Sequence, residues 1–406
     1  MLYIRDTLWG SIAVDEVAAE LIDTPPFQRL RYVRQLGLAH LVYPGATHSR
    51  FEHALGAYHL ATRALEHLEG AGALDQVAAD ESAVVASAAL LHDIGHYPFS
   101  HALEEIGAPH RESLATALIT TGSVAEVLRR RVATDAPERI VALIQGSSDS
   151  PLQGLISGSF DLDKIDYLQR DARMCGVPYG EVDEDRLLQA MTVARDPASG
   201  RRSLAIGSKG LSAVETLLFA KYQMYRNVYW HHACRSATAM YKRIVERAVE
   251  RGSVLTAELG GYTDEGLLHA IESGAGSDPM VAALRGRRLF KRAYEAPAAS
   301  LGGVDLEWIA NDRERVRATE AAIASDVGVP ANHVLLDFPA KTQMLGVDLL
   351  VSKAGGKAER LTQAGQPGSL DLPRLASDLY ASARCLRVFC AERVDAAAAV
   401  RRQLGA

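Results

Sequence analysis

Residues 81–101 read ESAVVASAALLHDIGHYPFSH, and this stretch does most to determine the fold. The segment up to Leu91 is almost entirely small or apolar, which is typical of a helix buried in a protein core. His92 and Asp93 follow at the C-terminal end of that helix, before Gly95 ends it. A carboxylate buried there alone would be costly, so Asp93 needs a cation or an arginine beside it. Arg50 could be that partner, giving an ion pair without a metal.

Upstream, residues 49–68 predict a second helix that begins near Ser49. Helical spacing places His53, Ala57 and Leu60 on one stripe, so the imidazole of His53 points inward. Taken alone, an inward histidine is more often a hydrogen-bonded core residue than a metal ligand.

Downstream, residues 160–171 read FDLDKIDYLQRD and hold too many charges for an ordinary buried stripe. Helical spacing places Asp163, Tyr167 and Arg170 on one face, with Lys164 and Asp171 beside it. The alternative for this segment is a solvated charged helix face.

Together the three segments offer two imidazoles, His53 and His92, and two carboxylates, Asp93 and Asp163. This set suits a divalent ion of intermediate hardness and not an all-oxygen calcium cage. We expect one or more divalent ions, from Mn, Fe, Co, Ni, Zn or Mg, with Mn favoured for activity.

A further helix is predicted after Pro98, on which His101 and Glu104 are three residues apart and can share a face. The alternative for His96, His101 and His110 is a set of surface histidines at a helix junction. Residues 221–232, KYQMYRNVYWHH, form either a cleft wall or, more often for such a run, core or subunit interface.

The 44 basic and 50 acidic residues give a net charge of −6, so nucleic-acid binding is possible but not indicated by charge. Four cysteines without a CxxC pair fit a reducing compartment. The start lacks a signal-peptide pattern, and the purest apolar run, 83–91, is too short to span a bilayer. We expect a cytoplasmic protein with no membrane segment.

Helical periodicity dominates from about residue 14 to 250, so the fold class is predicted to be mainly α. The composition shifts at 296–304, APAASLGGV, and predicts a boundary between a helical core, 1–305, and a small C-terminal α/β region, 306–406. Beyond it, we expect a helix around 313–325 and short strands in HVLLDFP, DLLVSK and CLRVFCAER, with a turn at AGGK, 354–357.

The ordered series RFEH, HDIGHYPFSH and DLDKIDYLQRD, with IDTPPFQRLRYVRQLGLAHLVYPGATHSRFEH at 22–53, resembles the HD-domain phosphohydrolases. Within them it is most similar to the deoxynucleoside triphosphate (dNTP) triphosphohydrolase branch, over roughly residues 1–250. The resemblance implies an HD-domain helical core, a homo-oligomer, and hydrolysis of a dNTP to deoxynucleoside and inorganic triphosphate.

The resemblance also implies roles for individual residues. The implied metal ligands are His53, His92, Asp93 and Asp163. Arg50 and Lys164 would hold the substrate phosphates, and Gln35, Leu36, Tyr167 and Asp171 would bracket the sugar. The implied catalytic residues are His96, His101, Glu104 and His110.

Three positions, Asp23, Gln28 and Arg31, match residues that bind an activating guanine nucleotide in a vertebrate member, although Arg5 departs from that pattern. Two alternatives stay open. One is an HD phosphodiesterase or phosphatase acting on another nucleotide or a nucleic-acid end. The other is a nucleotide-sensing regulator with a degenerate HD site.

Overall fold

The computed structural model describes residues 2–75, 77–274, 278–339, 348–353, 357–361 and 372–405. The turn predicted at AGGK falls mostly on residues 354–356, outside the described residues. Among the described residues, no helix is both long and apolar enough to cross a bilayer.

Helices make up most of the described chain, as the sequence predicts. They are α1 Glu16–Ile22, α2 Pro25–Arg29, α3 Arg50–Gly70, α4 Glu81–Leu91, α5 Arg111–Thr120, α6 Gly122–Arg131, α7 Ala136–Ile144, α8 Gln153–Ile156, α9 Leu162–Cys175, α10 Glu184–Ala190, α11 Leu211–Met224, α12 His232–Glu250, α13 Asp264–Ser273, α14 Pro279–Arg285, α15 Trp308–Asn311, α16 Arg313–Val327, α17 Leu372–Ala383 and α18 Ala397–Leu404. A π-helical turn, Tyr225–Tyr229, joins α11 to α12.

The strands of the described residues form three small sheets. They are β1 Leu2–Asp6, β2 Gly10–Val14, β3 Met191–Arg195, β4 Arg202–Gly207, β5 Lys291–Pro297, β6 Val334–Asp337, β7 Leu349–Ser352, β8 Ala358–Leu361 and β9 Cys385–Cys390. The first sheet is the antiparallel hairpin β1-β2, and the others have the orders β3-β4-β7-β8 and β5-β9-β6.

Two of these sheets join strands from both sides of residue 305. In one, β7 pairs in parallel with β4, with Ile206 opposite Val351. In the other, β9 pairs antiparallel with β5, with Lys291 opposite Cys390, and with β6. The division into a core, 1–305, and an appendage, 306–406, remains a prediction; the backbone pairing shows that the two parts share sheets.

Three helices build the centre of the molecule, because α3 packs against both α4 and α9. Ser49 caps α3 with a capping box: its hydroxyl accepts from the amide of Glu52, whose side chain in turn accepts from the Ser49 amide. The predicted stripe is confirmed, since His53, Ala57 and Leu60 are all buried. The apolar helix α4 ends at Leu91, so His92 and Asp93 emerge at its C-terminal end as predicted.

The helix predicted after Pro98 is instead a 3-10 turn, Ser100–Ile106, which we call the His101 turn. Phe99 and Ser100 precede and begin it with φ of 55° and 65°, a left-handed conformation that an α-helix cannot continue. Because side chains three apart eclipse one another in a 3-10 helix, His101 and Glu104 still share a face.

Candidate metal centre and adjoining cavity

Four side chains from α3, α9 and the end of α4 converge on one point. His53 Nε2 lies 2.9 Å from Asp163 Oδ1 and 3.1 Å from His92 Nε2. Asp93 Oδ2 lies 3.6 Å from the Nε2 atoms of both histidines, and Asp163 Oδ1 lies 3.6 Å from His92 Nε2. The residues that the sequence predicts as metal ligands are therefore brought together, and His53, His92 and Asp93 have the spacing of a metal site.

The two imidazoles are oriented as metal ligands would be. His53 Nδ1 lies 2.7 Å from Asp166 Oδ2, and His92 Nδ1 lies 2.7 Å from the carbonyl oxygen of Ala89. With an acceptor at Nδ1, each neutral ring carries its proton there and turns its Nε2 lone pair toward the cluster. Two lone pairs 3.1 Å apart repel unless a cation lies between them. The donor set of two nitrogens and two carboxylates fits a divalent transition-metal ion.

Asp166 holds His53 through Nδ1, the ring nitrogen that faces away from the cluster, and no role for it was predicted from the sequence. Its carboxylate also accepts from the Trp9 indole N–H at 2.5 Å and from Arg170 Nε and Nη2, both at 2.9 Å. Arg170 in turn donates to Asp6 at 2.8 Å. Gly56 leaves room for this network, because a Cβ there would lie 1.8 Å from Asp166 Oδ1. The N-terminal hairpin β1-β2 thus supports the back of the metal centre.

The prediction places Arg170 beside Asp163 and Tyr167 on one face of α9, but the side chain of Arg170 has different surroundings from the other two. Asp163, Lys164, Tyr167 and Asp171 line the cavity described below, whereas Arg170 is buried in the ion pairs with Asp166 and Asp6. Residues 166 and 170 are one turn apart along the edge of that face, where their side chains pair with each other.

Arg50 does pair with Asp93, as the metal-free alternative supposes. The ion pair and the metal site use the same carboxylate, since the Asp93 Oδ2 that accepts from Arg50 also faces both histidines. Burial raises the pKa of Asp93, but the charges of Arg50 and the neighbouring histidines outweigh burial and hold it well below its usual value. Burial lowers the pKa of His53, yet hydrogen bonds to Asp163 and Asp166 raise it to about 10. The cluster therefore attracts positive charge strongly.

The predicted catalytic residues begin beside Asp93 Oδ1, the carboxylate oxygen that does not face the two imidazoles of the cluster. His96 Nε2 lies 2.9 Å from Asp93 Oδ1, and its buried Nδ1 has no hydrogen-bond partner among the described residues. The rings of His96 and His101 are 4.8 Å apart. His101 Nδ1 lies 3.3 Å from Glu104 Oε2, while His110 Nε2 lies 3.7 Å from Glu104 Oε1. Glu104 thus stands between the two outer histidines.

Glu104 is held as an ionised acceptor. Its Oε1 accepts from the backbone amide of Arg111 at 2.9 Å. Burial raises its pKa, but the hydrogen bond to His101 and the charge of Arg111 outweigh burial and hold it well below its usual value. An anion beside His101 favours the protonated imidazole, which is the form that can donate a proton.

A cavity of about 640 Å³ opens beside the cluster. All six predicted substrate-binding residues line it, namely Gln35, Leu36, Arg50, Lys164, Tyr167 and Asp171. Asp93, His96, His101 and Asp163 line it too, whereas His110 and Glu104 are not among its lining residues. The Lys164 ammonium donates to Asp161 Oδ2 at 2.5 Å and to the Gly158 carbonyl at 2.9 Å. Positive groups therefore lie along the wall next to the cluster.

Two partners of Asp171 were missed from the sequence. His48 Nε2 lies 2.7 Å from its Oδ1, and the Tyr229 hydroxyl donates to its Oδ2 at 2.7 Å. The aromatic run, for which a cleft wall was the less favoured of two alternatives, supplies Tyr225, Tyr229 and Trp230 to the cavity. His48 stands two residues before Arg50, a predicted phosphate-binding residue. This proximity is the only sequence signal that could have pointed to His48.

The predicted activator residues lie elsewhere. Arg31 Nε donates to Gln28 Oε1 at 2.8 Å, and its guanidinium stacks 3.6 Å from the centre of the Phe51 ring. Asp23 caps the C-terminal end of α1. These residues are not among those that line the cavity.

Comparisons with known proteins match two family descriptions: an HD domain over residues 50–171 and an HD associated region over residues 182–366. An uncharacterized protein of Methanocaldococcus jannaschii is 35% identical over 273 residues, which are 66% of this chain and 54% of that protein. A Dictyostelium discoideum protein named deoxynucleoside triphosphate triphosphohydrolase SAMHD1 homolog is 30% identical over 251 residues, 58% of this chain and 47% of that protein. The matched segment spans about half the length of these curated relatives.

A solved structure of a hypothetical protein from Aquifex aeolicus resembles the whole chain. It superposes with a TM-score of 0.73 at 27% sequence identity, and the match covers 96% of each chain. The arrangement of a helical core with small sheets is therefore shared over nearly the full length of both.

Proposed function

Since the chain belongs to the HD-domain phosphohydrolase superfamily, we propose that it is a metal-dependent hydrolase that converts a dNTP to deoxynucleoside and inorganic triphosphate. The observation that carries the proposal is the convergence of His53, His92, Asp93 and Asp163 beside a cavity lined by Arg50 and Lys164. Hydrolysis of a phosphate ester needs a metal site with positively charged side chains beside it that can bind the phosphate oxygens.

The four ligands would hold the divalent ion through the two Nε2 atoms and one oxygen of each carboxylate. When bound, such an ion polarises a phosphoryl oxygen and makes water more acidic. Arg50 and Lys164 would bind the phosphates, the arginine through two N–H groups and the lysine as a point charge. Their charge would stabilise the negative charge that grows on the phosphoryl oxygens.

The sugar would lie against Gln35, Leu36, Tyr167 and Asp171, which share the cavity wall. Asp171 is fixed by His48 and Tyr229, yet each carboxylate oxygen has a second lone pair that can accept a sugar hydroxyl.

His101 would supply the proton that the leaving group needs. In the proposed step the oxygen of water bonds to the α-phosphorus and releases a proton to solvent, while the bond from that phosphorus to the 5′ oxygen breaks. The 5′ oxygen takes a proton from His101, which then regains one from solvent. An alkoxide leaves poorly without this proton, and such catalysis contributes about 10²–10⁴-fold. Glu104 orients His101 through Nδ1. His96 or His110 would assist, and His110 lies farther from Glu104 than His101 does.

Product identification tests the proposal. The protein is incubated with Mn²⁺ and a mixture of all four dNTPs, and the products are separated by chromatography. Deoxynucleosides and inorganic triphosphate are expected, and the His92→Ala variant serves as the inactive control. Release of monophosphate and pyrophosphate would contradict the proposal, because a different bond would have been broken.

The same assay separates the alternatives. Intact dNTPs together with hydrolysis of bis(p-nitrophenyl) phosphate or single-stranded DNA would indicate a phosphodiesterase. Nucleotide binding with no hydrolysis and no bound metal would indicate a regulator. Homo-oligomer formation and activation through Asp23, Gln28 and Arg31 are further proposals; equal activity with one dNTP and with the mixture would contradict activation.

A further inference from the structure

The His101 turn is attached to the rest of the molecule by the residue after Glu104. Glu105 points away from Glu104's partners, and only 18% of its side chain is exposed. Its Oε2 accepts from Lys242 Nζ at 2.7 Å and from Arg235 Nη2 at 3.1 Å, and its Oε1 accepts from Arg235 Nη1 at 3.3 Å. Both cations stand on α12. The turn that carries the proposed proton donor is thus tied to a helix outside the matched HD domain.

Arg235 is itself held by a carboxylate from the C-terminal part of the chain. Asp337, on β6, is fully buried and accepts from Arg235 Nε at 2.9 Å and from Nη2 at 2.6 Å. Lys242 Nζ lies 3.7 Å from the same carboxylate. The guanidinium therefore bridges two carboxylates, one from the His101 turn and one from the sheet β5-β9-β6.

The four groups balance in charge, with Arg235 and Lys242 against Glu105 and Asp337. Burial raises the pKa of both carboxyls, but Arg235 and Lys242 outweigh burial and hold the pKa of Glu105 and of Asp337 below its usual value. A buried network of this kind tolerates little displacement, since removing one member leaves a partner charge unpaired in a dry environment. The network fixes Glu105, and through the backbone it fixes its neighbour Glu104.

The contacts of His101 itself are looser. Its side chain is 39% exposed and its Nδ1 lies 3.3 Å from Glu104. Arg235, Glu105 and Pro339, two residues after Asp337, also line the cavity. The position of the proposed donor relative to the cavity thus depends on where the network holds the turn.

We infer that Asp337 is a positioning residue that acts through Arg235 and Glu105 to hold His101 at the cavity. The inference rests on the proposed function for its catalytic consequence. It gives the region 306–406 a role that the sequence does not reveal. Asp337 on β6 contacts the His101 turn through Arg235 of α12, and both β6 and α12 lie in the matched HD associated region.

The test compares Asp337→Asn with a matched control, Glu320→Gln, in the full chain. Glu320 on α16 also neutralises a buried arginine of α12, Arg243, and accepts from the amide of Leu336 on β6 at 2.8 Å. It has no partner on the His101 turn among its described contacts. Both substitutions remove one buried charge from the same helix–sheet interface, so general destabilisation should be similar.

We expect Asp337→Asn to lower kcat for triphosphate release about tenfold, since a misplaced catalytic group costs one to two orders of magnitude. KM, and the Kd for Mn²⁺ measured by calorimetry, should stay within about twofold of the wild type, because neither a metal ligand nor a proposed phosphate-binding residue, Arg50 or Lys164, is altered. Glu320→Gln should leave kcat within about twofold. Glu105→Gln should reproduce Asp337→Asn, and the double variant should be no slower than either, because both act on one path.

Hydrogen–deuterium exchange gives a readout independent of activity. Faster exchange of amides in residues 99–107 is expected in Asp337→Asn and not in Glu320→Gln, and it would support the positioning role even if the wild type released no triphosphate. Unchanged exchange there, equal kcat losses in Asp337→Asn and Glu320→Gln, or additive losses in the double variant of Asp337 and Glu105 would overturn the inference.

Discussion

The metal side of the site and its proton-donor side are built differently. The metal ligands project from α3, α9 and the end of α4, His53 is fully buried, and its two fixed contacts are 2.7 and 2.9 Å long. The donor residues lie on or beyond a 3-10 turn, with His101 39% and His110 56% exposed and contacts of 3.3 and 3.7 Å. The metal side is buried and held by short contacts without substrate, whereas the contacts of the donor side are long enough to shorten around it, as catalytic hydrogen bonds often do.

Asp93→Ala should have the largest effect, because it removes a ligand from the metal side. Loss of the bound ion removes several kcal/mol of transition-state stabilisation, so activity should fall by roughly 10³-fold or more. Calorimetry with Mn²⁺ should show binding weakened in parallel. The control is Asp149→Ala, which removes a carboxylate that is 86% exposed and remote from the cluster. Retained Mn²⁺ affinity in Asp93→Ala would contradict the ligand assignment.

His101→Gln should have the next largest effect and should separate the two sides. We expect kcat to fall by about 10²–10⁴-fold, the usual worth of a general acid, with the Kd for Mn²⁺ unchanged. His110→Gln should cost less, because its imidazole is the more exposed and the farther from Glu104. If His110→Gln proved the more severe, the donor would have to be reassigned.

Asp264→Asn should have the smallest effect, which is a change in how stability depends on pH. The carboxylate of Asp264 accepts from the amides of Phe99 at 2.7 Å and Arg34 at 3.0 Å, and so holds the start of the His101 turn. Burial raises the pKa of Asp264 to about 6 from 3.8. Between these pH values the folded state binds the proton more tightly than the unfolded state, so this group's contribution to stability falls as pH rises from about 4 to 6, by at most about 3 kcal/mol.

The measurement is the difference in Tm between the wild type and Asp264→Asn across pH 4 to 7. The wild type should lose stability relative to the variant as pH rises to about 6, after which the difference should stay level. A difference independent of pH would show that Asp264 keeps an ordinary pKa.

The contrast between the two sides also explains what could be predicted from sequence. The helices α3, α4 and α9 follow from local signals: the Ser49 capping box, the apolar run before His92 and the charged face of 160–171. A mainly α fold was therefore predictable. Once the helices were known, inward-facing ligands followed from spacing of 3.6 residues per turn.

The donor side was less predictable because its backbone is set by distant residues. The left-handed conformation of Phe99 is stabilised by Asp264, which is 165 residues away, and no local pattern announces a 3-10 turn there. The roles of Asp166 and Tyr229 could not be predicted for the same reason, because their partners, His53 and Asp171, become neighbours only in the folded chain. Spacing along α9 placed Arg170 with Asp163, but its long-range ion pair with Asp6 could not be read from local sequence, and Arg170 is not among the residues that line the cavity.

Gly56 has a consequence for engineering the protein. A glycine in the interior of a helix normally costs about 1 kcal/mol relative to alanine, so it is an attractive site for a thermostabilising substitution. In α3, however, the missing methyl is the space occupied by Arg170 and by Asp166, the partner of His53, since a Cβ would lie 1.8 Å from Asp166 Oδ1 and 2.5 Å from Arg170 Nη2. A single added carbon atom, far from any substrate, should therefore misalign a metal-binding imidazole, and a stabilisation campaign should leave this position alone.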